Sequence, residues 1–532
     1  MKVAVIGAGT SGLTSIKCCL DENLEPVCFE RSDDIGGVWR YSQHVENGRA
    51  SIYESVFSNT SKEMMNYSDF PIPENFPNFL HNSKMLEYYR MYAEEFNLLK
   101  YIKFKTLVLS VRKHPNFQNT GQWEVITEKD GEEETSTFDF VMVCNGHHSD
   151  PYYPLDAFPS IKEFKGTYLH SREYKTPDVY KGKRVLIIGM GNTGCDIAVE
   201  LSRTADRVFL STRRGSWVLS RVYDNGYPWD ICYDTRYKTW LRNTLPSGIV
   251  KWQSERKMNE WFDHVIYGVQ PSDSSQFKEP LCNDELPSCI TRGSVVIKPN
   301  VTEFTDTSVK FEDGTSEKNI DIVIFATGFA LSFPFLEGSI IKEENPINCL
   351  YRNIFPTSLE KPTLGIIGLI QPLGPIMSAA EVQARWVTRV FKGLCIFPSQ
   401  EQIMKDIAKK KEILKKSFGT ARDNTLRMDY IEYMDELASD IGIKPNMLGL
   451  FLTDPNLALM VLFGPCIPAQ YRLTGPGKWP HARKHIMATW DRVTKTTQTR
   501  IVKKHDNSLV MGILLPVLCV LALLLATFIY QK

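Results

Sequence analysis

The chain has 532 residues, 43% of them hydrophobic, and its 62 Lys+Arg are balanced by 62 Asp+Glu for a formal net charge of zero. That length supports two or more domains with an ample core, and the composition excludes a fibrous or disordered chain. The charge balance argues against nucleic acid as a main partner, and the twelve cysteines, with no CxxC and no paired spacing, read as reduced thiols and not as a disulfide framework.

The sequence opens on "KVAVIGAGTSG" with no secretory leader before it: an apolar, β-rich run, then Gly7, Ala8, Gly9, Thr10, Ser11 and Gly12, then the helix-like "LTSIKCCLDEN". Strand, glycine turn and helix in that order form the setting of a dinucleotide fingerprint. Gly7 permits the tight turn, Gly9 lets a pyrophosphate approach the backbone, and Gly12 lets helix and strand pack closely. The phosphates would rest on unpaired N–H groups at the positive end of the helix dipole. The next strand, "PVCFE", ends at Glu30, 23 residues after Gly7. A carboxylate there accepts from both ribose hydroxyls and repels a 2′-phosphate, so this loop suits FAD or NAD. "IGGVW" then supplies Gly37, Val38 and Trp39, where a second glycine pair lets backbone reach the same cofactor. Cys18 and Cys19 are adjacent, the wrong spacing for a disulfide reductase, the commonest other fold with two such loops.

The pattern returns at "KRVLIIGMGNTGCDIAVELSRTA", with Gly189, Gly191, Asn192, Thr193 and Gly194, and with Cys195 and Asp196 in the helix that follows. The strand after it, "RVFLSTRRG", has no acid at its end. Thr212, Arg213 and Arg214 stand where Glu30 stood in the first unit. A guanidinium forms bidentate charge-assisted bonds to phosphate, so this loop prefers NADP over NAD. Two loops of opposite preference suggest FAD in the first and NADPH in the second, since nicotinamide needs an acceptor for its hydride.

Three further stretches accompany the loops. "FKGTYLHSREY" fits FxGxxxHxxxY through Phe164, Gly166, His170 and Tyr174; "FATGF" spans 325–329; "SNTSKEMM" spans 58–65. With them the chain resembles the flavin-containing monooxygenases of the vertebrate microsomal type over essentially its whole length. The resemblance implies an α/β fold with two Rossmann-like dinucleotide-binding domains and a C-terminal transmembrane helix. It implies an FAD-dependent NADPH monooxygenase that N- or S-oxygenates small lipophilic nucleophiles with O2, through a flavin hydroperoxide. The asparagine facing the reacting edge of the flavin would be Asn59, flanked by cofactor-contacting Ser58 and Thr60, with Gln371 in "LIGLIQPLGP" as a further flavin contact. As a neutral amide, Asn59 can both donate and accept, where a carboxylate would repel developing negative charge; its competing reading is a helix cap. His170 reads as structural and not as a base. Phe329 departs from the family's tyrosine and removes a hydroxyl near the domain linker.

The expected organisation is a discontinuous FAD domain, 1–150 and 331–440, around an NADP domain, 151–330, with an insertion at about 215–300. Residues 441–508 read as a channel or membrane-associated region. His147 and His148 follow a strand exit and read as lining a domain junction. "KDIAKKKEILKK" at 405–416 reads as one exposed helix face. His481 and His485 are spaced i, i+4 but lack a third ligand, so no metal is expected. Leu509 to Tyr530 is 22 residues without a charge; at about 1.5 Å per residue a helix of that length crosses a bilayer core of roughly 30 Å. Lys503 and Lys504 before it favour a cytoplasmic catalytic mass on a C-terminal anchor in the endoplasmic reticulum membrane. The expected partners are small lipophilic nucleophiles, O2 and membrane lipid, with no nucleic acid and with a homo-oligomer allowed. Ketone oxygenation of the Baeyer–Villiger type, an NADPH oxidase releasing H2O2, and an inactive cofactor-bound membrane protein stay open as alternatives.

Overall fold

A computed structural model describes residues 1–272, 280–341, 349–418 and 426–500. The apolar run 509–530 and its preceding lysines therefore lie outside the described residues, as do the side chains from 414 onward in the basic helix Gln400–Phe418. Among the described residues no helix is long and apolar enough to cross a membrane, and the eleven described cysteines are free.

Two five-stranded parallel sheets organise the chain. The first runs in the order Leu364–Ile366, Phe140–Val143, Lys2–Ile6, Glu25–Phe29, Ile102–Lys103. The second runs Val295–Lys298, Arg207–Ser211, Arg184–Ile188, Ile322–Phe325, Thr167–His170. In each, the strand that feeds a glycine loop is central. The next strand of its own βαβ unit lies on one side, and a strand from much later in the chain lies on the other. That reversal is the topological switch point, where open α/β sheets form their ligand crevice. The flanking strands, "VMV" and "IVIF", are buried on both faces and read as continuous apolar runs, as parallel strands do. An antiparallel meander, Leu107–Lys113, Trp123–Lys129 and Glu132–Phe138, is inserted before the fourth strand of the first sheet is reached.

The chain returns to the first sheet after completing the second. Leu364–Ile366 pairs with Phe140–Val143, and the buried helix Ile376–Phe391 packs on the first-loop helix Thr10–Asp21. Residues 457–493 add Leu457, Val461, Tyr471 and Ile486 to the same core. A buried polar chain ties this late segment to the start. Arg472 pairs with Glu381 at 2.7 Å and Asp69 at 2.9 Å and donates to the Ser68 hydroxyl at 2.6 Å; Asp69 in turn pairs with Lys17 of the first-loop helix at 2.7 Å. Arg492 likewise pairs with fully buried Glu63 at 3.0 Å. Charges this deep persist because each has an opposite partner and further hydrogen bonds.

Candidate active site

The two glycine loops fold alike for the same steric reason. Gly7 has φ +100°, and a Cβ there would lie 2.8 Å from the Cys144 carbonyl oxygen. Gly189 has φ +114°, and its Cβ would lie 2.4 Å from the Ala326 carbonyl oxygen. Only glycine meets both demands. Each loop is thus pressed against the strand end on the far side of the switch point, Cys144 after "VMV" in one sheet and Ala326 after "IVIF" in the other. Cβ atoms on Gly12 and Gly194 would sit 1.8 Å and 2.1 Å from the Gly7 and Gly189 oxygens, so each helix is clamped onto its own loop. Both helices, Thr10–Asp21 and Asn192–Leu201, start with no side-chain cap and no acid in the first turn. Their first N–H groups and their positive dipole ends stay open to an anion.

The loops differ at the middle glycine. A Cβ on Gly9 would be 3.3 Å from the Gly37 Cα, and one on Gly37 would be 3.0 Å from the Gly9 Cα. The "IGGVW" turn therefore lies directly against the first loop, held by the Gly36 N–H donating to the Ala8 oxygen at 3.1 Å. A Cβ on Gly191 would meet nothing within 4 Å, leaving open space over the second loop.

Glu30 is buried at its strand end. Its Oε2 accepts from the Ala8 N–H at 2.7 Å, and its Oε1 accepts from the N–H and hydroxyl of Ser32 at 2.9 and 2.7 Å. A carboxylate offers about four acceptor positions, so the chain itself engages most of them. The carboxylate fastens the glycine loop, a duty that the spacing alone did not indicate. At the corresponding point of the second unit, Thr212 Oγ1 accepts from the Gly215 N–H at 3.0 Å. Arg213 and Arg214 are exposed and make no ion pair among the described residues. Nearby, Asn192 Oδ1 accepts from the Cys282 N–H at 2.8 Å. Cys195 and Asp196, expected to line the cofactor, turn inward instead: Cys195 is fully buried in the apolar core, and Asp196 accepts from the Tyr53 hydroxyl at 2.6 Å and from Asn283 Nδ2 at 2.9 Å. Helical spacing sends these positions to the packed face, so their side chains hold the helix in place.

Residues 53–61 form a strap between the two halves. Besides Tyr53 on Asp196, Ser55 donates to Glu200 at 2.9 Å, one helical turn along the same face. Farther on, the Asn59 carbonyl accepts from Trp229 Nε1 at 2.8 Å, and the Ser61 N–H donates to Asp230 at 2.6 Å. Asn59 does not cap a helix, because Ser61 is the residue preceding Lys62–Met65. Its Oδ1 accepts from Arg221 Nη2 at 2.6 Å, and the same guanidinium pairs with Asp284 at 2.9 Å. Ser58 is buried with its hydroxyl donating to the Thr60 oxygen at 3.0 Å. Gln371 lies in the short strand Gln371–Leu373, paired with Arg427–Asp429.

His170 Nδ1 accepts from the Arg172 N–H, which leaves Nε2 to donate to the Gly328 oxygen at 2.9 Å. Burial lowers its pKa, so it is a neutral brace between the signature motif and "FATGF". Phe329 packs edge-on against His148 and His170 with centroids 5.4 and 5.2 Å apart. Tyr174 donates to Glu200 at 2.8 Å. His485 is buried 3.4 Å from Glu63, and among the described residues no group of three or more His, Cys, Asp or Glu could hold a metal. Sequence reasoning missed Arg221, Trp229, Asp230 and Asp284. All lie in the insertion; Arg221, Trp229 and Asp230 meet the strap across more than 160 residues of chain, where no local spacing signals them, and Asp284 joins through Arg221.

Comparison with known proteins completes the identification. The flavin-binding monooxygenase-like family model matches residues 1–532. Dimethylaniline monooxygenase (N-oxide-forming) 2 of Macaca mulatta is 56% identical over 527 residues, covering 99% of this chain and 98% of that protein. Flavin-containing monooxygenase 3 of Canis lupus familiaris is 55% identical, covering 99% of each. The chain belongs to the flavin-containing monooxygenases. It is an FAD-dependent monooxygenase that uses NADPH. The fold agrees with that of more distant solved structures: an S-allyl-L-cysteine S-oxygenase from Allium sativum has a TM-score of 0.62 at 21% identity, covering 92% of this chain and 98% of that one. A cyclohexanone monooxygenase has a TM-score of 0.58 at 17% identity, covering 82% and 97%. As a flavin-containing monooxygenase the chain fits its two cofactors. Both loops present uncapped helix N-termini, the second has open space over Gly191, and two arginines that make no ion pair among the described residues follow it.

Proposed function

We propose that the enzyme oxygenates nitrogen or sulfur in small lipophilic molecules, with Asn59 beside the reacting atoms. FAD is assigned to the first loop, through Gly7–Gly12, Glu30, Gly37–Trp39, Ser58 and Thr60, and NADPH to the second, through Gly189–Gly194, Thr212 and Arg213. Residues 1–150 and 331–440 are read as the FAD domain and 151–330 as the NADP domain. Bound FAD supplies the redox chemistry, taking hydride from NADPH and activating O2. The chain contributes binding, orientation and exclusion of water. Backbone N–H groups at the two helix starts hold the pyrophosphates, Arg213 holds the 2′-phosphate, and Asn59 offers a neutral donor to developing negative charge.

The observation that carries this reading is the strap, which suspends Asn59 between the first unit and the helix of the second loop. A nitrogen substrate is favoured by the names of the relatives, of which one is N-oxide-forming. Attachment to the endoplasmic reticulum membrane through 509–530 is part of the same reading. It is supported by exposed Trp240, Trp252, Ile266, Leu448 and Leu452 in and around the helices Arg236–Thr244, Ser247–Met258 and Met447–Thr453, since tryptophans of this kind seat at a lipid interface.

Membranes carrying the enzyme, given NADPH, O2, a tertiary amine and a ketone, should yield the N-oxide in excess over ester and peroxide. In the same assay Asn59→Asp should keep bound-flavin absorbance and lose nearly all N-oxide. Undiminished N-oxide formation in that variant removes Asn59 from the reaction, and ester or peroxide as the main product replaces the substrate assignment.

A further inference from the structure

Asn59 has two chemically different ends, and only one can face a reaction. Its Oδ1 lies 2.6 Å from Arg221 Nη2. A guanidinium has donors only, so the amide must present oxygen to it; the flipped amide would oppose donor to donor. The Nδ2 group, which makes no hydrogen bond to the described residues, is the end left over. The guanidinium and the Arg221 backbone are both anchored. Nη1 pairs with Asp284 at 2.9 Å, the Arg221 backbone N–H donates to Asp284 Oδ1 at 2.7 Å, and Nε donates to the Ser58 oxygen at 3.2 Å.

Asp284 ends a three-residue hub. The Cys282 N–H donates to Asn192, the first residue of the second-loop helix, at 2.8 Å, and Asn283 donates to Asp196 on that helix at 2.9 Å. Consecutive residues therefore grip the helix that starts at the NADPH loop and the arginine that sets the Asn59 amide. We propose that Arg221, braced by Asp284, is a positioning residue for oxygenation: it locks the Asn59 amide with its NH2 outward as a hydrogen-bond donor and keys that orientation to the second nucleotide loop.

This rests on the reading of Asn59 given above, and the test separates the two. Purified, flavin-loaded enzyme is compared as wild type, Arg221→Met, Asn59→Ala and the double variant, with a tertiary amine as substrate. Arg221→Met should lower kcat roughly tenfold, with the KM for NADPH within about twofold of wild type, and should change kcat less than about twofold when Asn59 is already alanine. Arg221→Lys, which retains one donor, should recover part of the loss. Additive losses in the double variant overturn the proposal, and so does a KM rise with unchanged kcat, which would make Arg221 a phosphate ligand. An Asn59→Ala enzyme at wild-type rate overturns the role of Asn59 itself. If Arg221→Met fails to retain flavin, Asp284→Asn answers the same question: a kcat loss present with Asn59 and absent without it supports the bracing, and an equal loss in both backgrounds sinks it.

Discussion

The Tyr53 hydroxyl donates to the Asp196 carboxylate at 2.6 Å, joining the strap that carries Asn59 to the helix of the second nucleotide loop. Burial raises the Asp196 pKa, while hydrogen bonds from Tyr53 and Asn283 pull it back. Tyr53→Phe keeps the ring contact with Tyr174, 6.0 Å between centroids, and removes only that hydrogen bond. The loss should be about 1–2 kcal/mol, since a hydrogen bond to a charged acceptor is removed. In a chain of this size it should appear as a fall of a few degrees in the apparent melting midpoint of the flavin-loaded enzyme. An unchanged midpoint would show that the latch is idle.

The glycines of the two loops should respond unequally to alanine. At Gly12 the added Cβ would lie 1.8 Å from the Gly7 oxygen, a backbone clash that no side-chain shift relieves. Gly12→Ala should yield protein without bound flavin. At Gly191 the Cβ would meet no protein atom within 4 Å, so Gly191→Ala should retain flavin and raise the KM for NADPH, because the methyl group occupies the nucleotide's approach. Absorbance of the purified variants near the flavin bands and NADPH titrations distinguish the two. Loss of flavin in both would mean the open space is needed for folding.

Arg213 is exposed without an acidic partner among the described residues, so its replacement leaves no orphaned charge. Arg213→Ala should raise the KM for NADPH at least about tenfold, the scale of a lost charge-assisted phosphate contact, and leave that for NADH nearly unchanged. Parallel changes for both nucleotides would assign the phosphate to another side chain.

Asp230 is fully buried, and its oxygens accept from the N–H groups of Ser61 at 2.6 Å and Ile231 at 2.9 Å. Burial raises its pKa from 3.8 to about 6, against the pull of those N–H groups. The folded value exceeds the unfolded one, so the stabilisation from this group is complete below pH 3.8 and lost as pH rises through about 6, an effect of about 3 kcal/mol. Asp230→Asn does not titrate. Its melting midpoint should gain on wild type across that window and hold a constant difference from it above. A difference independent of pH would show that Asp230 titrates normally.

The legible parts of this chain were those whose chemistry is local. Gly7, Gly12 and Glu30 lie within one βαβ unit, so their spacing reports the strand–turn–helix that brings them together, and the same holds for Gly189 to Arg213. Side-chain direction inside the second helix was not legible from the motif: Cys195 is buried in the apolar core, and Asp196 turns to Tyr53 and Asn283. Least visible was the insertion. Arg221 and Asp284 are 63 residues apart; Arg221 meets the strap at Asn59, and Asp284 joins it only through Arg221. No periodicity encodes a contact of that kind.

The ion pairs of Arg472 and Arg492 decide how far the polypeptide can be shortened from its C-terminal side. A truncation after residue 500 discards the apolar tail and keeps both arginines. One at residue 440 strips the cations from Glu381 and Glu63 and leaves Asp69 only Lys17, stranding carboxylates in the interior at a cost of about 3–5 kcal/mol for each one left without its partner. A shortened version of this oxygenase therefore has a narrow range of viable stop positions, and cutting at residue 440 would unmake the unit built on the first glycine loop.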